Sequence, residues 1–279
     1  MPELPEVETV RRLIEPDVRG RVITGVEVGW ERTVGGDEDA FEREVVGARI
    51  ERVRRRAKYL LFDLLRGESP AGVILCHLRM TGRLYVRDQA AELDPYDRAV
   101  CDLDDGTRLH FLDVRKFGRF EFVRNPDARL AKLGPEPLGD DFTSDWFRAA
   151  LARKRRQLKP LLLDQEFVAG LGNIYVDEAL HRARLHPLCP SDRVSKPKAH
   201  ALYEEIRSTL AEAIEREGSS FDRFYRTPTG QPGEYQHQFQ VYGRDGQPCL
   251  RCGSTIAKIV VGQRGTHFCR RCQPKPRKR

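Results

Sequence analysis

The sequence predicts an α+β protein of several domains, in which an antiparallel β-sandwich or barrel precedes a helical domain. Three observations lead to this fold class. The chain has 279 residues, which at roughly 150 residues per domain is enough for two cores. Short β-rich runs fill residues 21–123, whereas helical periodicity prevails from residue 143. Two Cys-x-x-Cys pairs near the C-terminus add a small cysteine module to the helical domain.

The N-terminal region begins with a helix and continues as strands. Apolar side chains recur at helical spacing through residues 5–16, behind prolines and glutamates that suit a helix start, and the helix should end near Gly20. The runs that follow, such as VITGVEV, KYLLFDLL and RFEFV, are separated by Gly, Asp and Pro turns. So many short strands without intervening helices predict antiparallel sheets.

The rest of the chain divides into a linker, helices and the cysteine module. Proline and glycine are frequent in residues 125–141, which have no clear period. Helices are predicted at 143–153, 173–184 and 198–217, and a loop at 226–236. The predicted partition is a β-sandwich domain at 1–124, a linker at 125–141, a helical domain at 142–240, the cysteine module at 241–273 and a basic tail at 274–279.

Positive charge is concentrated at the C-terminal end. The net charge is +7, and residues 249–279 contain nine Lys or Arg and no Asp or Glu, so the first 248 residues carry −2. Two further basic runs lie at 52–58 and 153–159. One such run is usually a solvated surface, but three in one chain favour a nucleic-acid partner.

The sequence also predicts the compartment and the use of its cysteines. No stretch approaches the roughly 18 apolar residues of a membrane span, and MPELPEVETV is acidic where a secretory signal would be basic. We therefore expect a cytoplasmic protein, in which Cys-x-x-Cys pairs indicate a metal rather than disulfides. Cys76 lies in an apolar run and is predicted to be a buried small hydrophobe.

Four cysteines form two pairs separated by sixteen residues: Cys249, Cys252, Cys269 and Cys272. This spacing closes a tetrahedral zinc site on two knuckles of a hairpin, whose tip is predicted at residues 263–265. A four-thiolate site has no open coordination position, so the zinc should be structural. Zinc ribbons also serve as plain structural supports, but the basic residues around this one favour DNA contact.

The first residues contain a candidate nucleophile. Methionine before proline is normally trimmed, which would give Pro2 a free secondary amine. An α-amino group has a pKa about two and a half units below that of lysine, so part of it is unprotonated at neutral pH and can attack carbon. Attack on a sugar C1′ would give an iminium ion, with Glu3 as acid or base. On these residues alone, an ordinary helix start is the simpler interpretation.

A glycine turn precedes the second predicted helix. Residues 170–173 read GLGN, which places Asn173 to cap the helix and leaves first-turn N–H groups for an anion such as a DNA phosphate. Most such turns are only helix caps, so this motif is weak by itself.

Together these features resemble the formamidopyrimidine-DNA glycosylase family, bacterial base-excision enzymes that remove oxidised purines. The resemblance runs essentially end to end through separate motifs in the same order. The matching stretches are PELPEVETV (2–10), RRRAKYLLFDL (54–64), HLRMTGRL (77–84), DVRKFGRF (113–120), LDQEFVAGLGNIYVDEAL (163–180), and VYGRDGQPCLRCG with GQRGTHFCRRCQ in the cysteine module. The resemblance implies a helix–two-turn–helix module between the β-sandwich and a zinc finger.

The resemblance implies roles for four candidate catalytic residues. Pro2 matches the family's nucleophile, and Glu3 matches the acid that assists sugar-ring opening and base loss. Lys58 matches a lysine that donates to phosphate or to the leaving oxygen during strand cleavage. Arg264 matches a finger arginine sometimes assigned as a proton donor. We favour a phosphate clamp, because a guanidinium pKa above about 12 makes a poor acid.

The resemblance also implies an interface with damaged duplex DNA. Met80, Arg115 and Phe117 match a wedge that fills the space left by an extruded base. Without the family, Met80 and Phe117 would be interpreted as core residues. Other residues match positions that contact the DNA backbone or the lesion nucleotide: His77, Lys154, Lys159 and Asn173.

The sequence departs from the family pattern at two places. Tyr96 stands where several relatives have a DNA-contacting histidine, and we predict that it contacts DNA. Asp222 stands where bacterial relatives carry a basic residue near the lesion pocket, and a preceding glycine pair is here Glu217 and Gly218. Together with the loop at 226–236, these changes leave the base preference open.

We therefore predict a monomeric DNA glycosylase and AP lyase, with one structural zinc ion, that excises 8-oxoguanine and formamidopyrimidines and cleaves the strand by β,δ-elimination. An endonuclease VIII-like enzyme for oxidised pyrimidines shares Pro2, Glu3, the lysine and the finger, although PELPEV and the intact wedge favour the purine branch. A non-catalytic zinc-ribbon protein that binds damaged DNA is the alternative from another class, and Pro2 discriminates against it.

Overall fold

The computed structural model describes residues 1–221 and 224–275. Asp222 and residues 276–279 of the predicted basic tail therefore lie outside the described residues. The helices are α1 (Leu4–Val18), α2 (Glu38–Val45), α3 (Asp127–Leu130), α4 (Ser144–Arg153), α5 (Leu158–Leu162), α6 (Asn173–Arg182) and α7 (Lys196–Glu215), with 3-10 turns at Glu31–Thr33, Ser191–Arg193 and Tyr235–Gln238. The strands are β1 (Ile23–Glu27), β2 (Arg49–Arg56), β3 (Tyr59–Arg66), β4 (Ser69–His77), β5 (Gly82–Asp88), β6 (Asp97–Leu103), β7 (Thr107–Asp113), β8 (Arg119–Val123), β9 (Ile256–Val261) and β10 (Arg264–Cys269).

The chain forms two compact units. The first contains Met1–Ala131 and Arg216–Glu234, and the second contains Lys132–Glu215 and the chain from Tyr235 onward. The division after Ala131 falls inside the segment 125–141, where the proline-rich composition predicts a linker.

The structural division differs from the sequence-based partition at residues 216–234, which the partition assigns to the helical domain. These residues belong to the first unit because the backbone N–H of Ser219 donates to the Glu6 carboxylate at 2.8 Å. Tyr225 also packs into the core of the first unit, where it is 4% exposed. A contact between residues so far apart in sequence leaves no local pattern.

Two four-stranded antiparallel sheets form the first unit, with strand orders β1-β6-β7-β5 and β2-β3-β4-β8. Their apolar faces share one buried cluster, in which the rings of Phe111 and Phe120 stack with centroids 5.6 Å apart across the two sheets. The prediction of an antiparallel sandwich is confirmed. Cys76 is a fully buried member of this cluster, and burial raises the pKa of its thiol.

Helix α1 packs on the sandwich through Val7, Val10 and Ile14, and Gly20 follows it at φ +82°. The predicted helix and its end are confirmed. Helix α2, between β1 and β2, is an element that the prediction of strands without intervening helices missed. A local sequence signal for this helix does exist. Asp37 is its N-cap, and the Asp37 carboxylate accepts from Ala40 N–H at 2.9 Å.

The second unit is helical and ends in a hairpin. Thr143 caps α4 through Trp146 N–H at 3.1 Å, and the predicted apolar stripe of α7 is buried at Leu202, Ile206 and Leu210. Strands β9 and β10 pair antiparallel around a two-residue turn at 262–263. Among the described residues, no helix is long and apolar enough to cross a membrane.

Candidate active site and nucleic-acid interface

The candidate nucleophile and acid lie at the start of α1. Pro2 and Glu3 are both buried. Glu3 is the N-cap of α1 and forms a capping box with Glu6, whose carboxylate accepts from the Glu3 backbone N–H at 2.8 Å. The helix start therefore fixes the backbone directly beside Pro2.

Glu6 is a functional candidate that sequence reasoning missed, because its charge is explained by a helix N-terminus alone. It is 2% exposed and accepts from Ser219 through the backbone N–H at 2.8 Å and the hydroxyl at 3.3 Å. A Cβ on Gly218, which has φ +76°, would meet Glu6 Cγ at 2.8 Å. Glu6 thus ties residues 218–219 to the start of α1. The proline-glutamate pair followed by a second glutamate is the available sequence signal.

Lys58 is buried in the two-residue turn between β2 and β3, where Ala57 has φ +52°. A chain of hydrogen bonds connects this turn to α1. The Arg55 guanidinium donates to Glu8 at 3.0 Å and to the Ala57 carbonyl at 3.0 Å. The helix that begins beside Pro2 therefore also holds the turn that carries Lys58.

His77, at the end of β4, is 8% exposed and packs edge-on against Tyr59 with ring centroids 4.6 Å apart. Its Nδ1 accepts from Arg79 N–H at 3.0 Å, which leaves the proton on Nε2. Burial, followed by the charges of Arg79 and Lys58, lowers the pKa of His77 to about 3. At neutral pH this ring is an uncharged donor.

The three predicted wedge residues lie on two neighbouring loops of the first unit, at 78–81 and 114–118. Met80 is 38% exposed and Phe117 is 50% exposed, so interpreting them as core residues is wrong. The Arg115 guanidinium lies over the Phe117 ring, 4.9 Å from its centroid. Exposed apolar side chains beside an arginine suit insertion into a base stack.

Backbone strain accompanies the wedge. Arg79, directly before Met80, has φ +54°, and Lys116, between Arg115 and Phe117, has φ +59°. Left-handed conformations of residues other than glycine are costly and cluster at functional sites. Both loops are therefore held in conformations that the chain alone disfavours.

Tyr96 is also exposed, at 47%, and the Arg98 guanidinium lies 5.6 Å from its ring centroid. The carbonyl of Tyr96 accepts from Asp113 N–H at 2.9 Å. The segment carrying Tyr96 is thus joined to the end of β7, where the loop at 114–118 begins.

In the second unit, Lys154 is exposed directly after α4. Lys159 is completely buried, and its ammonium donates to Asp177 at 2.6 Å and to the Gly265 carbonyl at 3.1 Å. The charge of Lys159 is therefore directed into the unit in this structure, and its contact with DNA stays a prediction. An ammonium paired with a buried carboxylate explains why a lysine is tolerated there.

Asn173 contacts the same hairpin carbonyl as Lys159. Its side-chain amide donates to the Gly265 carbonyl at 3.1 Å. The prediction that Asn173 caps its helix is wrong, because the N-cap of α6 is Gly172 in an extended conformation and Asn173 is the first helical residue. Lys159 and Asn173 thus hold the backbone immediately after Arg264.

Arg264 is exposed at the start of β10. The preceding residues, Gly262 at φ +55° and Gln263 at φ +61°, form the left-handed two-residue turn that favours a tight hairpin. The turn lies at 262–263, whereas the prediction placed the tip at 263–265, because Arg264 and Gly265 already pair with β9. The turn displays Arg264 on the surface while its neighbour Gly265 is anchored.

Glu178 is a second residue that sequence reasoning missed. It is completely buried in α6, and its carboxylate accepts from the backbone N–H groups of Gln240, Val241 and Tyr242 at 2.8, 3.0 and 2.8 Å. Burial raises its pKa although these three donors oppose the change. Glu178 holds the segment that leads into the cysteine module.

The four cysteines of the module are clustered, with all four sulfur atoms within 4.8 Å of one another. The sulfur atoms of Cys249 and Cys272 are 4.0 Å apart, and those of Cys252 and Cys269 are 3.4 Å apart. A tetrahedral zinc ion with Zn–S bonds of about 2.3 Å needs sulfur separations of about 3.8 Å. The donor set and its spacing therefore fit zinc. His181 Nε2 lies 3.6 Å from Cys249 Sγ, close enough to orient that thiolate.

Three parts of the chain match known families. Residues 1–120 match the formamidopyrimidine-DNA glycosylase N-terminal domain, residues 133–224 match its H2TH domain, and residues 246–275 match the zinc finger found in FPG and IleRS.

Individual relatives cover the whole chain. A formamidopyrimidine-DNA glycosylase of Herpetosiphon aurantiacus is 45% identical over 277 residues, which cover 98% of this chain and 100% of the relative. That of Bacillus subtilis is 42% identical over 281 residues, with coverages of 99% and 100%.

Solved structures agree with these sequence relatives. A variant of Lactococcus lactis FPG in complex with Fapy-dG containing DNA matches with a TM-score of 0.90 and 38% identity, covering 98% of this chain and 100% of that chain. The MutM (FPG) protein from Thermus thermophilus matches with a TM-score of 0.87 and 42% identity, covering 99% and 100%. The chain therefore belongs to the formamidopyrimidine-DNA glycosylase family.

Proposed function

We propose that this chain is a bifunctional DNA glycosylase and AP lyase that removes oxidised purines from damaged duplex DNA. The observation that carries the proposal is the buried, hydrogen-bonded start of α1, with Pro2 and Glu3 beside each other. Family membership supports the same chemistry, since the relatives are named formamidopyrimidine-DNA glycosylases. A Lactococcus lactis relative was solved with abasic-site DNA and another complex with Fapy-dG DNA.

The reaction begins at the amine of Pro2, once Met1 has been removed. The proline nitrogen attacks C1′ of the damaged nucleotide, the C1′–N bond to the base breaks, and the base leaves with a proton. Glu3 assists opening of the sugar ring by donating to its oxygen. The resulting iminium ion acidifies the C2′ hydrogen. A base removes that proton, the electron pair of the C–H bond forms an enamine, and its collapse breaks the C3′–O bond with the 3′ phosphate as leaving group. Removal of a C4′ proton then breaks the C5′–O bond, and the 5′ phosphate leaves.

Two cations serve the strand cleavage in this proposal. Lys58, held by the Arg55 link to α1, donates to a phosphate or to the leaving oxygen. Arg264 clamps a phosphate, because an exposed guanidinium beside a tight hairpin turn is suited to bidentate binding and poorly suited to giving up a proton.

The DNA is bound by residues of both units. After extrusion, Met80 and Phe117 would support the base stack. Arg115 would form a hydrogen bond with the base that has lost its pairing partner. His77 offers a neutral N–H donor to the DNA backbone, and Tyr96 a stacking or hydroxyl contact. Lys154 and Asn173 stay proposed contacts to the backbone or lesion nucleotide.

One zinc ion, held by the four clustered cysteines, has a structural role. When bound it fixes the two knuckles of the module and supplies no catalytic position. We propose further that the protein acts as a monomer in the bacterial cytoplasm, on DNA of the nucleoid.

The proposal is tested by excision from matched duplexes that differ only in the lesion. We expect kcat/KM for 8-oxoguanine to exceed that for an oxidised pyrimidine, and Pro2→Gly to lower excision by at least about a hundredfold. A preference for the pyrimidine would assign the chain to endonuclease VIII-like chemistry. Lesion binding without any cleavage by zinc-loaded, Met1-free protein would favour the non-catalytic alternative.

A further inference from the structure

Asp113 lies at the end of β7 and is completely buried. Its carboxylate accepts hydrogen bonds from both loops that carry the proposed wedge. One oxygen accepts from the Thr81 hydroxyl and from Arg115 N–H, the latter at 3.2 Å, and the other oxygen accepts from Gly118 N–H at 2.7 Å. Thr81 directly follows Met80, and Gly118 directly follows Phe117.

We propose that Asp113 is a positioning residue for base extrusion, which sets Met80, Arg115 and Phe117 relative to one another. The inference rests on the proposed function, since it takes these three side chains to be the wedge. Asp113 itself does not touch DNA. It acts through Thr81 and Gly118, whose neighbours carry the exposed side chains.

The contacts around the carboxylate make this an organised junction between two loops. The Thr81 hydroxyl donates to Asp113 and also accepts from Arg115 N–H at 3.1 Å, so the loops are joined to each other as well as to the carboxylate. A Cβ on Gly118 would meet the Phe111 ring at 2.5 Å and Asp113 Oδ2 at 3.1 Å. Only glycine can therefore approach the carboxylate and the sandwich core so closely.

The backbone of Asp113 extends the junction to a third segment. Its N–H donates to the Tyr96 carbonyl at 2.9 Å, and its own carbonyl accepts from the Arg98 guanidinium at 2.8 Å. One buried residue thus connects the two wedge loops with the segment of Tyr96. These contacts stabilise both wedge loops, in which Arg79 and Lys116 adopt left-handed backbone conformations that are costly for residues other than glycine.

Positioning of this kind should matter only where a base must leave a stack. A protein whose wedge is misplaced by a fraction of an ångström still binds DNA through its other cationic residues. Its wedge, however, stabilises the extruded state of the base less well. Cleavage of an abasic site in single-stranded DNA requires no extrusion and no filling of a helix. The ratio of the two activities therefore reports the position of the wedge.

The primary test replaces the Thr81 hydroxyl, because a threonine-to-valine change keeps the shape of the side chain. We expect Thr81→Val to lower kcat/KM for 8-oxoguanine in duplex DNA by about tenfold. Cleavage of single-stranded abasic DNA should stay within about twofold of the wild type. Thr81→Ser, which restores the donor, should recover most of the duplex activity. Asp113→Asn replaces one acceptor oxygen with an amide group. Like Thr81→Val, it should lower the duplex activity and spare cleavage of single-stranded abasic DNA.

A matched control lies at the opposite end of β7. The Thr107 hydroxyl donates to Asp105 at 2.7 Å in an exposed turn, and Thr107→Val should leave both activities unchanged. Fluorescence of 2-aminopurine placed opposite the lesion gives a second readout, since Thr81→Val should slow the rise that accompanies extrusion. Thermal unfolding of each variant checks that the fold is retained.

The outcomes separate the inference from the function on which it rests. Unchanged duplex activity in Thr81→Val, or an equal loss on duplex and single-stranded substrates, would overturn the positioning role. Phe117→Ala is measured in parallel. If Phe117→Ala lowers the duplex-to-single-strand ratio while Thr81→Val does not, only the role of Asp113 fails. If Phe117→Ala leaves the ratio unchanged, the wedge assignment fails and the positioning role with it.

Discussion

Each unit supports an exposed cationic loop on a buried aspartate, and the two supports differ in chemistry. In the first unit, Asp113 accepts from a hydroxyl and from backbone N–H groups beneath the loops of Arg115. In the second unit, Asp177 accepts from the Lys159 ammonium at 2.6 Å and from His267 N–H at 2.8 Å, beneath the hairpin of Arg264.

The difference lies in what each support depends upon. The Asp113 junction is built on a sandwich with a large apolar core, and the groups that donate to the Asp113 carboxylate are uncharged. The Asp177 pair joins a hairpin that ends at the zinc ligand Cys269, with only a small apolar cluster around the cysteines. Loss of the metal or of one charge should therefore disable the second support and leave the first intact.

Zinc removal should have the largest effect, because it disables the second support and leaves the first intact. Structural zinc contributes about 10–16 kcal/mol in finger peptides, more than most segments of this size can replace. Chelation, or Cys249→Ser, should weaken DNA binding by more than about a hundredfold. Hydrogen exchange in β2, β3 and β4 should stay slow in the same samples.

The control for zinc loss is Cys189→Ser, a buried cysteine of the second unit outside the cluster. It should retain the metal and DNA binding. Full binding by protein verified to be free of zinc would contradict the dependence of the finger on its metal.

The buried ion pair gives the next largest effect. Lys159→Met leaves the Asp177 carboxylate buried without its cation and should lower the free energy of unfolding by about 3–5 kcal/mol. The double variant Lys159→Met with Asp177→Asn should be more stable than the sum of the two single changes predicts. Urea unfolding of the four proteins measures the coupling. Normal stability with lost DNA binding in Lys159→Met would instead support a direct contact to DNA.

Arg264 should show a smaller, electrostatic effect. As a phosphate clamp, Arg264→Ala should weaken binding by about tenfold and reduce the slope of log K against log salt by about 1. Arg264→Lys should keep the salt slope. Arg148→Ala is the control, since this partly exposed arginine of the same unit pairs with Asp145 at 3.1 Å. An unchanged salt slope in Arg264→Ala would contradict the clamp.

The smallest effect is the pH dependence of stability that His77 contributes in the first unit. Its pKa is about 3 when folded, below the ordinary value near 6.5, so the unfolded chain binds a proton that the folded chain excludes. The stability that this neutral histidine contributes is therefore fully present above pH 6.5 and is lost as the pH falls below that value. Between pH 6.5 and 5.5 this group alone should remove about 1 kcal/mol, and His77→Gln should lose that much less. Parallel pH profiles for the two proteins would contradict burial as the cause.

The features that sequence predicts well are those with local patterns. The helix of residues 5–16, the strand runs and the spacing of the four cysteines each depend on neighbouring residues, and the structure contains all of them. The exposed positions of Met80 and Phe117 agree with the family resemblance alone, because apolar side chains would otherwise be expected in the core.

The features that sequence does not predict are those set by distant contacts. Lys159 belongs to a basic run that resembles a surface, yet its partners Asp177 and Gly265 come from two later elements. The contact of Asp113 with Thr81 is equally hard to predict, since Thr81 lies 32 residues before it. Nothing in the sequence near either residue marks the pairing.

Borohydride trapping of the zinc-loaded, Met1-free protein on a duplex containing 8-oxoguanine tests directly whether Pro2 is the nucleophile. Mass mapping of the reduced adduct should place the DNA on the nitrogen of Pro2, since only an amine that has formed an iminium ion is trapped. An adduct on Lys58, or none although lesion binding is confirmed, would contradict the proposed nucleophile.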